Sequence, residues 1–96
     1  MANLTANSLI LDVGGVAASA DLHERIASAL HLPDYYGRNW DAFEECIRHD
    51  LPVPALITVQ GLEALRQTLP RDAALLIQCL SDAEAQSRGK LTVAII

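Results

Sequence analysis

Asp41, Glu44 and Glu45 carry the plainest chemistry in this 96-residue chain. Residues three and four apart are neighbours on a helix, so this spacing gathers three carboxylates on one side. Two adjacent tyrosines, Tyr35 and Tyr36, stand just before them. An anionic surface beside aromatics suits capture of a basic partner, whereas catalysis would need an activated nucleophile that the segment does not offer. Cys46 and His49 lie three residues apart and invite two readings, a thiol hydrolase and a metal site. Neither is well supported. On a helix the pair would point in similar directions instead of flanking a substrate, and no second C-x-x-C or H-x-x-H pair completes a zinc set. We expect no metal, no cofactor and no enzymatic activity. Cys46 and Cys79 read as buried free thiols, and His23, set among apolar helix positions, as a structural histidine.

The charge balance points the same way. Twelve acidic residues against seven Lys and Arg give a net charge of −5, which disfavours a nucleic-acid ligand because phosphate binding depends on cationic side chains. A basic protein is the better match. The skew is local, since residues 34–50 hold Asp34, Asp41, Glu44, Glu45 and Asp50 against Arg38 and Arg48. Arg48, four residues after Glu44, can pair with it. Met1-Ala2-Asn3-Leu4-Thr5 lacks the basic start of a signal peptide, and no apolar run reaches membrane-spanning length. The expectation is a cytoplasmic protein with no membrane partner.

The elements that must hold these residues are legible. Ser8–Val13 is a short apolar run closed by Gly14-Gly15 and reads as a first strand. Asp21 and Glu24 have capping-box spacing, and Leu22, Ile26, Ala29 and Leu30 form the stripe of a first helix ending near His31. A turn through Pro33 and Gly37 follows. Asn39 can cap a second helix in which Trp40, Phe43 and Ile47 face inward and the acids face away. Pro52 and Pro54 require that helix to stop. Ala55–Val59 reads as a second strand, and Leu62, Leu65 and Leu69 as a third helix ended by Pro70. Asp72 is expected to open a fourth helix with Ala73, Leu76, Ile77 and Leu80 inside. Leu91–Ile96 is an almost wholly apolar third strand, expected to be buried on both faces. The order β-α-α-β-α-α-β leaves connections long enough for parallel crossovers and predicts one α/β domain over residues 1–96.

The runs Asp21-Leu22-His23 and Leu32-Pro33-Asp34-Tyr35-Tyr36-Gly37, then Asn39, Asp41-Ala42 and Cys46, match a known pattern in order and spacing. The chain resembles the barstar family of intracellular ribonuclease inhibitors. The resemblance implies a three-stranded parallel sheet with about four helices, and a binding surface made by the second helix and the loop before it. Tyr35, Asp41 and Glu45 stand where family members touch the nuclease, Trp40 at an apolar contact position, and Asp82 near a further acidic one. Two departures fall on that surface. The family's known inhibitor has Trp-Asp where this chain has Glu44-Glu45, and Thr-Gly-Trp where it has Arg48-His49-Asp50. The expected partner-binding set is Tyr35, Asn39, Trp40, Asp41, Glu44, Glu45, Arg48, His49 and Asp82. The implied role is an immunity protein, monomeric when free, that blocks a basic ribonuclease of secreted type or a nuclease toxin domain. The competing role is a regulatory or assembly module that kept the fold and changed its partner.

Overall fold

A computed structural model describes residues 7–96. Residues 1–5, expected to carry no signal segment, lie outside them. The chain runs β1 (Asn7–Asp12), α1 (Ser19–Ala29), α2 (Trp40–His49), β2 (Ala55–Gln60), α3 (Leu62–Thr68), α4 (Pro70–Gln86) and β3 (Leu91–Ile95). The strands form one parallel sheet in the order β1-β2-β3, with Leu9 beside Ile57 and Ile57 beside Val93. This is the expected α/β architecture in the expected element order. Among the described residues no helix is long and apolar enough to cross a membrane.

Among the described residues the sheet is covered on one face only. Leu9, Leu11, Ala55, Ile57, Val59 and Leu91 are buried, while their alternates Ile10 and Thr92 are exposed and Leu56, Thr58 and Ala94 are half-buried. The strand order advances in one direction, so crossovers of one hand fall on the same side and bring the helical layer there. That overturns the expected double-sided burial of the last strand. β3 is an edge strand, with Leu91 buried, Val93 half-buried, Ile95 half exposed and Ile96 more so. Its outer edge is partly blunted because the Val93 amide donates to the Glu84 carboxylate at 2.8 Å, satisfying a group that would otherwise be open to another strand.

Two helix starts also differ from expectation. α1 begins at Ser19 behind Ala18, whose side chain makes no cap, so Asp21 sits in the first turn and the capping box does not form. Asp21 still favours the helix there through the helix dipole. α4 begins at Pro70, in the first turn where a missing N–H costs nothing, and Leu69 occupies the cap position. Asp72 is thereby released from capping and used elsewhere.

Gly61 joins β2 to α3 with φ +77, and a Cβ there would lie 2.5 Å from the Gly14 nitrogen and 2.7 Å from its Cα. Gly15 has a similar φ of +78 but open space around it. Gly61→Ala should therefore cost roughly 2–4 kcal/mol, combining left-handed strain with overpacking, and Gly15→Ala only about 1–2 kcal/mol. Urea midpoints of the two variants check this. Equal losses would mean that the close backbone approach carries no energy.

Candidate functional site

The loop before α2 is tied down at several points. Asn39 has extended backbone, its Oδ1 accepts from the Ala42 amide at 2.8 Å, and its Nδ2 donates to the Gly37 carbonyl at 3.2 Å. Asn39 thus positions the helix by capping it. Arg38, at φ +54, donates to Glu24 of α1 at 2.7 Å and to the Tyr36 carbonyl at 2.6 Å. The Glu24 carboxyl is held below its usual range by that hydrogen bond and by the Arg38 charge.

The two tyrosines separate cleanly. Tyr36 is 2% exposed and shares a hydrogen bond with His23 Nδ1, whereas Tyr35 is 71% exposed. Burial pushes the Tyr36 hydroxyl far above its ordinary range. Tyr35 donates to Asp50 Oδ1 at 2.7 Å, so its ring is fixed to the residue that ends α2. That bond, followed by desolvation, raises the Tyr35 hydroxyl.

Trp40 turns toward α1 and α4. Its ring lies 4.6 Å from His23 and 5.6 Å from Phe43, and its Nε1 donates to Asp72 of α4 at 3.0 Å. Trp40 therefore seams α1, α2 and α4 together while remaining partly exposed at a cleft that also contains Asp21, Glu24, Arg38 and Arg71.

His23 is 4% exposed within that seam. Desolvation lowers its pKa, opposed by the Asp72 carboxylate and assisted by Arg38. The unfolded chain then takes up a proton near 6.5 while the folded chain resists, so stability is complete above that value. It falls as pH drops from about 6.5 toward the lower folded-state value. Urea midpoints at pH 7.5 and 5.5 should show a smaller loss for His23→Gln than for the parent chain. The same loss in both would remove His23 from the acid response.

On the outer side of α2, Asp41 is exposed and, among the described residues, its side chain makes no hydrogen bond or ion pair. Glu44 faces Arg48 at 3.7 Å and Glu45 faces His49 at 3.3 Å, both one turn apart. Asp82 of α4 joins them, lining with Glu44, Arg48 and Cys79 a narrow crevice between the helices. Cys79 lines the same crevice. Burial raises its thiol pKa, and the charges of Glu44, Asp82 and Asp41 raise it further. The spacing of α2 could not reveal this neighbour, since Cys79 reads simply as apolar in its own helix.

Cys46 is 3% exposed, and its pKa is raised by burial and by the hydrogen-bonded Asp50. A catalytic thiol needs the opposite shift, and His49 is engaged with Glu45.

Comparison with known proteins decides the family. The family described as Barstar (barnase inhibitor) matches residues 6–95. The chain belongs to the barstar family. A curated relative in Bacillus subtilis (strain 168), named "Putative ribonuclease inhibitor YrdF", is 26% identical over 74 residues, covering 77% of this chain and 81% of the relative. Within a barstar fold, the structure brings Glu44, Arg48 and Asp82 together between α2 and α4, leaves Asp41, Glu45 and His49 exposed on α2, sets Tyr35 against Asp50 at the end of that helix, and turns Trp40 toward Asp72.

Proposed function

We propose that this barstar-family chain inhibits a basic ribonuclease of secreted or toxin type by seating the outer face of α2 in the enzyme's phosphate-binding cleft. A ribonuclease holds phosphate with Arg, Lys and His, and carboxylates held at fixed spacing can take the phosphate's place among those donors. The observation that carries this reading is Asp41, exposed on the first turn of a capped helix and free of any intramolecular partner among the described residues. Its charge is ready for a partner cation without a prior ion pair to break. Glu44 and Asp82 extend the anionic surface across to α4, and exposed Tyr35 supplies an apolar border. The inhibitor blocks and does not react. Acting as an immunity protein, it belongs in the cytoplasm, where an active nuclease would destroy the cell's own RNA.

The intramolecular pairs Glu44–Arg48 and Glu45–His49 favour one second reading, a regulatory module with a less cationic partner. Barnase, which gives the family its description, is a suitable probe alongside basic ribonucleases from the chain's own genome neighbourhood. Stoichiometric loss of RNA cleavage on adding the purified chain supports inhibition. Failure to inhibit or bind any of these nucleases decides for the regulatory module.

A further inference from the structure

The last turn of α2 adds Arg48 and His49 to a helix that begins with Asp41, and the helix closes on Asp50. A cleft of about 320 Å³ opens there between the end of α2, the end of α4 and the start of β3. Three basic side chains line it, Arg48, His49 and Lys90, and no acidic residue does. Ile47, Ala83 and Leu91, all buried, form its apolar floor, and Val53, 49% exposed, stands at the border. Lys90 makes no ion pair among the described residues, and its backbone bonds to Ser87 and Ala55 leave its ammonium uncommitted.

We propose that this cleft receives a carboxylate-bearing segment of the protein partner. The inference rests on the reading of α2 as a docking helix and specifies the surface it docks on, a cationic cleft bordered by an acidic segment. Charge complementarity carries the choice of occupant. A chain of net charge −5 that nevertheless gathers three bases around an apolar-floored cleft, one helical turn from its carboxylates, presents an alternating pattern. Partners of uniform positive charge meet repulsion at the Lys90 end. Exposed pairs such as Arg48–Glu44 and His49–Glu45 contribute little, so Arg48 and His49 can turn to a partner carboxylate at small cost. Patterned charge of this kind selects among partners more than it raises affinity for all of them.

Nitrogen-15 NMR titration with two probes, hexaglutamate and hexalysine, tests the cleft and the acidic face separately. Hexaglutamate should shift amides of residues 47–53 and 86–91, and hexalysine those of residues 41–45. In Lys90→Glu the hexaglutamate shifts should disappear while the hexalysine shifts remain. Diffuse or absent hexaglutamate shifts would overturn the proposal, as would inorganic phosphate producing the same shifts at lower concentration, which would mark a phosphate site. Hexaglutamate at the cleft with no hexalysine response on α2 would uphold this inference and count against the inhibitor reading. Against a nuclease that the chain inhibits, Lys90→Glu should weaken binding at least about tenfold. Simple attraction to a basic enzyme predicts the reverse, because the variant is more anionic, and tighter binding would overturn the proposal.

Discussion

Asp41→Ala should weaken inhibition of the cognate ribonuclease by between about a hundredfold and several thousandfold, with little change in the inhibitor's own stability. The size follows from what the substitution strands. With Asp41 seated among phosphate-binding cations, removing its carboxylate leaves a desolvated charge on the enzyme without a counter-ion, and breaking such a pair costs roughly 3–5 kcal/mol. In the free protein the same carboxylate is exposed and contributes only its interaction with the start of α2, about 0.3–1 kcal/mol. Asn39 still caps the helix through the Ala42 amide. Inhibition constants and urea midpoints measured on one preparation separate the two effects. A variant that inhibits like the parent would show that Asp41 lies outside the contact, and one that loses stability in proportion to inhibition would show that Asp41 acts through the fold.

Deleting residues 91–96 should abolish cooperative folding, while deleting only Ile95 and Ile96 should be tolerated. The contrast comes from the edge position of β3. Leu91 is 4% exposed and Val93 half-buried, and their burial contributes roughly 2–5 kcal/mol in a domain whose whole stability is about 5–15 kcal/mol. The longer deletion also strips the ladder from one side of β2, uncovering the central strand. Ile95 and Ile96 are 50% and 75% exposed, and Ile96 adds one backbone bond, to the Val59 carbonyl at 3.1 Å. Losing it should cost about 1 kcal/mol. Circular dichroism melts distinguish the outcomes. Unfolding of the short deletion would mean that the end of β3 holds more of the core than its exposure indicates, and a cooperative melt of the long one would mean that two strands suffice.

The acidic face was readable only in part. The positions of Asp41, Glu44 and Glu45 on one helix follow from their spacing, and so does the Glu44–Arg48 pair. The Glu45–His49 pair obeys the same rule, yet an imidazole beside a thiol at position 46 directs attention to catalysis or metal first. Asp72 reads as a helix cap because Ser, Thr, Asn and Asp commonly open helices. Pro70 takes the first turn instead, and Asp72 is free to accept from an indole 32 residues away.

The sequence alone determined what is decided within about four residues along the chain. Helix stripes, the Asn39 cap, the proline stops and the element order all arise from local geometry, because hydrogen-bond and side-chain periods repeat within one or two turns. The tertiary structure decided what depends on separate elements meeting. It buried Tyr36 against His23 and left Tyr35 outside, brought Asp82 and Cys79 of α4 into the carboxylate group of α2, turned Trp40 toward Asp72, and left one face of the sheet open so that an apolar final strand ends half exposed. The physical reason is that an apolar or charged residue type fixes only a preference for core or water. Which neighbour satisfies that preference is settled when the helices pack on one side of a sheet whose strands advance in a single direction.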